Sequence, residues 1–170
     1  MTPTIIAARV LLLVAITGTG FSESVTAAEL SYGEWRVSTD DNFHEAFTAN
    51  SSGSTLGVLC VIEKESCVYY LRSDTSCKEG SQTPILLNSS RGSSDALLHC
   101  TSLSVASDKQ NEFINIFANS SLILKILNSS GILGIAMPLA DGEFKVMRFS
   151  LQGRTAQLKL LVLCRPLTLK

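Results

Sequence analysis

From residue 33 onward the chain alternates short apolar runs with clusters of Asn, Ser, Gly and Asp, and runs of that length bounded by turn formers read as β-strands. Residues 33–38 carry the only Trp, Trp35, in apolar/polar alternation with Val37, and residues 43–49 form a weaker second run. Residues 56–62 and 67–71 flank Glu63-Lys64-Glu65, a charged connection of hairpin length. Residues 84–87 and 96–102 bracket a Ser/Gly-rich loop at 88–94, and 113–117 alternates Phe113, Asn115 and Phe117 against Ile114 and Ile116. Residues 132–139 and 144–151 lie on either side of Asp141-Gly142, a strong turn dipeptide.

Two segments break the period of two. Residues 122–127 hold three Leu, one Lys and two β-branched Ile, follow Ser120 and Ser121 as caps, and precede Gly131 as a stop, which reads as a helix with a strand as the alternative for so short an apolar run. Residues 154–163 contain Ala156, Leu158, Lys159, Leu160 and Leu161, all good helix formers, before Pro166 forbids much continuation. There Leu158 and Val162 share one stripe, which should pack across the sheet holding Phe149 and Leu151. The pattern predicts a mainly β (α+β) fold: β-sandwich-like antiparallel sheets of about eight strands, a short internal helix and a C-terminal helix.

The N-terminus follows another logic. Residues 1–9 hold one positive side chain, Arg9, and an apolar run at 10–16 is of signal-peptide length. Val25 and Ala27 supply small residues at the positions before a cut, so cleavage after Ala27 is expected, with a second site one residue on. Residues 1–27 therefore read as a signal peptide and 28–170 as a single exported β-rich domain. No later stretch approaches twenty apolar residues, so no transmembrane segment is expected in the mature protein. A periplasmic or secreted location follows.

Composition narrows the function classes. Fourteen Lys and Arg against fifteen Asp and Glu leave a net charge of −1, without the basic excess of a nucleic-acid binder. With 45% hydrophobic and 17% charged residues the chain should fold into one packed core. All five cysteines, Cys60, Cys67, Cys77, Cys100 and Cys164, lie beyond the expected signal peptide. In an oxidising compartment they imply two disulfides and a leftover thiol. A tight turn at Glu63-Lys64 would put Cys60 opposite Cys67, and Cys77 with Cys100 would close the second bridge. The competing scheme joins Cys67 to Cys77 and Cys60 to Cys100. Either way Cys164 is the candidate free thiol. Zinc is the rival use of these cysteines, but no C-x-x-C pair occurs.

Asn-Ser-Ser occurs at Asn50, Asn88, Asn119 and Asn128. Each is a formal N-glycosylation acceptor in a eukaryotic secretory pathway, yet each falls between apolar runs, where Asn and Ser bond their own backbone. The turn reading, with a bacterial source, is preferred.

Catalytic signatures are sparse. There is no nucleophile elbow, Walker loop or dinucleotide fingerprint. His99 adjoins Cys100, and a strand would send the two to opposite faces. His44 lies near Asp40, Asp41 and Glu45, which reads as a solvated segment beside Trp35 before it reads as a metal or acid/base site. Lys145, Arg148, Arg154 and Lys159 make at most a mildly positive face. No catalytic, metal or cofactor-binding residue is assigned, and no cofactor is expected.

The segment Phe149-Ser150-Leu151-Gln152-Gly153-Arg154-Thr155-Ala156-Gln157-Leu158 resembles the closing motif of invasion-associated locus B proteins, a strand, S-L-x-G and a short helix. Gly33-Glu34-Trp35-Arg36-Val37 resembles the family's opening strand, G-x-W. The match covers about fifteen residues at the two ends, while the middle departs from the family and is nearer an uncharacterised periplasmic group. The resemblance implies a small exported, cysteine-bearing β-sandwich protein of Gram-negative bacteria, from a group linked to host-cell invasion; it carries over no catalytic residue.

The function expected is therefore non-enzymatic: binding of another protein or an envelope component. An inhibitor or immunity protein against an envelope-targeting enzyme is the alternative, and a small thiol- or carboxylate-dependent hydrolase the third.

Overall fold

A computed structural model describes residues 28–105, 111–153 and 155. The chain order is β1 (Ala28–Tyr32), β2 (Trp35–Thr39), β3 (Phe43–Ala49), β4 (Thr55–Val61), β5 (Ser66–Ser73), β6 (Gln82–Ser89), β7 (Gly92–Val105), β8 (Asn111–Phe117), α1 (Ser120–Leu127), β9 (Ile132–Pro138) and β10 (Phe144–Ser150). The strands form one antiparallel sheet in the order β1-β2-β3-β4-β5-β8-β7-β6-β9-β10.

Among the described residues ten strands join one sheet, more than the eight or so expected in sandwich-like sheets. The strand outside the runs read above is β1, where Ala28, Leu30 and Tyr32 alternate with Glu29 and Ser31 directly after the expected cleavage site; it holds its place by pairing Ala28–Tyr32 with β2. The helix expected over 154–163, its Leu158 and Val162 stripe, and the thiol of Cys164 lie outside the described residues, as does the segment 1–27.

Alternation decides which face is buried. Trp35, Val37, Ala46, Leu56, Val58, Leu71, Leu87, Leu98, Phe117, Leu133, Ile135, Met147 and Phe149 belong to one core cluster drawn from β2 through β10. A single cluster fed by nearly every strand requires the sheet to fold over on itself. Its two ends do meet: Trp35 Nε1 donates to the Ser150 carbonyl at 3.2 Å, and the Glu34 amide donates to the Gln152 carbonyl at 3.2 Å.

Two local expectations change. The anticipated loop at 88–94 is a continuation of the β6–β7 hairpin, with Ser89 paired to Gly92 and only Ser90-Arg91 between them. Gly92 takes φ +103°, which the tight turn needs. The helix begins at Ser120, and its cap is Asn119, whose Oδ1 accepts from the Leu122 amide at 2.9 Å, in place of Ser120 or Ser121. The helix ends at Leu127 with Asn128 as its C-cap, three residues before Gly131. It buries Ile123, Ile126 and Leu127 in the core while carrying the chain from β8, mid-sheet, to β9 near the far edge.

Candidate functional site

Cys60 is bonded to Cys67 and Cys77 to Cys100, the first of the two pairings set out above. The β4–β5 register puts Cys60 opposite Cys67, with a turn over residues 62–65 closed by the Glu65 amide donating to the Ile62 carbonyl at 3.1 Å. The second bridge holds the loop before β6 against β7, where the Gly80 amide donates to the Cys100 carbonyl at 2.8 Å and the Cys100 amide to the Ser81 carbonyl at 3.0 Å. Cys100 is therefore no partner thiol for His99. His44 and Glu45 sit at successive positions of β3 and face opposite ways. Asp40 accepts from the Asn42 amide in its own turn. Among the described residues no three His, Cys, Asp or Glu side chains group as metal ligands. Of the basic quartet, Lys145 pairs with Asp74 and Arg148 is exposed, while Arg154 and Lys159 are outside the described residues.

The Asn-Ser-Ser triplets lie at element ends, as the turn reading requires. Asn50 Oδ1 accepts from the Ser52 and Ser54 amides, Asn119 and Asn128 cap α1, and Asn88-Ser89-Ser90 leads into the β6–β7 turn.

Away from the core, the sheet carries two features that alternation alone does not reveal. The first is an apolar face on β6, β7, β9 and β10. Register aligns Val146, Ala136 and Leu86 across three strands, Phe144 with Pro138, and Pro84 with Leu97. Phe144 is 66% exposed, Val146 and Leu86 51% each, and Leu97 43%. Only three residue pairs join β6 to β9, because continuing that register brings Pro84 opposite Pro138 and neither has an amide to donate. Beside this face, Gly134 leaves a notch of about 250 Å³ lined by Asn88, Ser89, Ile132 and Arg148. Asp95 borders the opposite side, one pairing step from Leu86.

The second feature is a cleft of about 250 Å³ on the outer face of β3, β4, β5 and β8, lined by Glu45, Leu59, Val68, Tyr70, Arg72, Thr101, Ile114 and Ile116. Gly57 pairs with Tyr70, and a Cβ there would lie 2.6 Å from the phenol oxygen, so the ring lies flat over β4. Laid down in this way, it donates its hydroxyl to Glu45 Oε1 on β3. Burial first, and then the Glu45 charge, push the Tyr70 phenol far above its ordinary 10.0. Arg72 Nη2 donates to Thr55 Oγ1 at 3.3 Å, and its Nε lies 3.3 Å from Glu112 Oε2. A one-residue bulge in β7 between Cys100 and Ser102 turns Thr101 toward the cleft, where its Oγ1 donates to the Ile114 carbonyl. Sequence reading missed both features. Tyr70 and Glu45 are 25 residues apart, and only sheet order makes them neighbours.

No family model matches the chain, and no curated protein does. Among solved structures, the crystal structure of invasion associated protein B from Bartonella henselae matches with a TM-score of 0.52 at 13% identity, covering 81% of this chain and 98% of that one. The two share a fold. The resemblance read from the end motifs thus has a structural counterpart. Here those motifs form one clasp: a Cβ on Gly153 would lie 1.5 Å from the Tyr32 carbonyl oxygen, and one on Gly33 3.0 Å from that of Gln152. Among the described residues of the two motifs, Gly33, Glu34, Trp35, Ser150, Gln152 and Gly153 close the sheet, which is a structural role.

Proposed function

We propose that the chain is a non-catalytic, disulfide-stapled binding protein of an oxidising, extracytoplasmic compartment, and that it engages another protein through the apolar face of β6, β7, β9 and β10. The observation that carries this reading is the run of exposed Leu86, Leu97, Phe144 and Val146 on adjoining strands. Contiguous apolar surface of this kind marks interaction sites, since leaving it in water forfeits burial energy. Charge selects the partner: Arg148 in the Gly134 notch calls for an acidic side chain, and Asp95 across the face for a basic one. An apolar surface flanked by those two charges fits. Invasion, the association stated in the structural neighbour's name, is one setting for such binding. The described cysteines support no thiol hydrolase, because all four are bridged.

A photo-crosslinking side chain placed at position 86 or 144 of the exported protein should trap a discrete protein adduct, while the same group at position 64, on the β4–β5 turn, should not. Leu86→Lys should abolish the adduct formed from position 144 without changing the melting temperature. Equal adducts from all three positions would sink the reading.

A further inference from the structure

We propose that the cleft between β3, β4, β5 and β8 is a second binding site, and that it takes a small organic cation, an ammonium head on an apolar body. This site is independent of the apolar face on β6, β7, β9 and β10. The cleft, at about 250 Å³, is smaller than most drug-sized pockets and admits a ligand of about ten heavy atoms. Its walls divide by chemistry. Leu59, Val68, Ile114 and Ile116 offer aliphatic surface for the body of the ligand.

The polar wall carries a net negative charge. Arg72 is compensated by Glu112, 3.3 Å away, and is held further by Thr55. Glu45 receives the Tyr70 hydroxyl and, among the described residues, no cationic side chain. A phenol that donates a hydrogen bond stabilises a carboxylate without neutralising it. One carboxylate oxygen is thus engaged, and the other remains to accept from a ligand. The Tyr70 ring works in the same direction. Packed on Gly57, Tyr70 is 5% exposed and its ring shows the cleft only a small part of its surface, so it adds a minor attraction to that of the carboxylate. Gly57 makes this possible, because any side chain there would lift the ring off the strand and away from Glu45. The Glu45 carboxylate, with that minor help from the ring, favours a cation over an anion or a neutral isostere. Burial keeps the phenol protonated, so the donor to Glu45 is present throughout the neutral range.

The test uses three probes of matched shape on the folded protein: 2-phenylethylamine, 2-phenylethanol and 3-phenylpropionate, titrated at neutral pH with amide shifts as readout. The amine should bind with shifts centred on residues 57, 70 and 116, the alcohol about tenfold more weakly, and the carboxylate not measurably. Glu45→Gln should bring the amine down to the alcohol's affinity. Tyr70→Phe keeps the ring and releases both Glu45 oxygens, so amine binding should persist or tighten even if Glu45→Gln fails to fold. A free amine and a protein lysine share this chemistry. Binding of an acetylated, amidated lysine peptide at the same residues would assign the site to a side chain, and binding of the amine alone to a free metabolite. Equal affinity for all three probes, no binding of the amine, or its loss in Tyr70→Phe would overturn the proposal.

Discussion

At the scale of single residues, two glycines with similar backbone angles should behave differently. Gly142 (φ +85°) has nothing within 4 Å of a built Cβ, so Gly142→Ala meets only the left-handed penalty of about 1–2 kcal/mol. Gly153 (φ +88°) carries that same penalty and adds a collision with the Tyr32 backbone. Gly153→Ala should therefore cost at least about 2 kcal/mol more than Gly142→Ala in denaturant unfolding, because the clasp between the sheet ends must open. Tyr70 yields a prediction in pH. Its folded phenol titrates above the unfolded value of 10.0, so its contribution to stability is fully present below that pH and is lost as pH rises toward the folded value. Above about pH 10 the slope should reach about 1.4 kcal/mol per pH unit. Tyr70→Phe should flatten it, as read by urea midpoints across that range. Tyr69, also raised by burial, supplies a smaller slope that remains.

At the scale of elements, α1 is only eight residues long and owes its existence to its cap and its apolar stripe. Asn119→Ala removes the acceptor for the Leu122 amide and should cost about 1 kcal/mol, whereas Ser120→Ala should change stability by less than half of that. Thermal unfolding of the two variants checks it. Most strands could be read directly: β3 spans the expected residues 43–49, and β4, β5, β8, β9 and β10 shift by at most two residues at either end. They were legible because one face is buried and a period of two is the only pattern that buries it. The β6–β7 hairpin was misjudged for the opposite reason. Its tip, Asn88 to Ser94, has loop composition, yet the ladder runs on through it, pairing Asn88 with Ser93 and Ser89 with Gly92. Ladder hydrogen bonds there outweigh local propensity.

At the scale of the whole molecule, the two bridges do unequal work. Cys60–Cys67 closes a short hairpin already held by seven β4–β5 pairs, while Cys77–Cys100 spans 23 residues and anchors a loop of little regular structure. Loop-entropy reasoning gives about 2.5 kcal/mol for the first and about 3.5 kcal/mol for the second. A Cys77→Ser, Cys100→Ser double variant should thus lose more stability than the Cys60→Ser, Cys67→Ser counterpart, measured by calorimetry under oxidising conditions. By itself the chain's sequence marked what is local: most strand positions, the internal helix, the turn at Asp141-Gly142, and a hairpin whose register sets Cys60 against Cys67 in one of the two pairings it left open. It also marked Gly33-Glu34-Trp35 and Ser150-Leu151-Gln152-Gly153 as special. Only the tertiary structure decided that those two stretches, more than a hundred residues apart, are halves of one clasp. It likewise decided that β8 enters between β5 and β7, that Tyr70 reaches Glu45 across Gly57, and that Leu86 and Val146 share a face with Ala136 between them. Alternation tells a side chain which face it occupies but not which strand lies beside it. Neighbours in a sheet are chosen by the packing of a shared core, and that choice is made only when the whole chain closes around it.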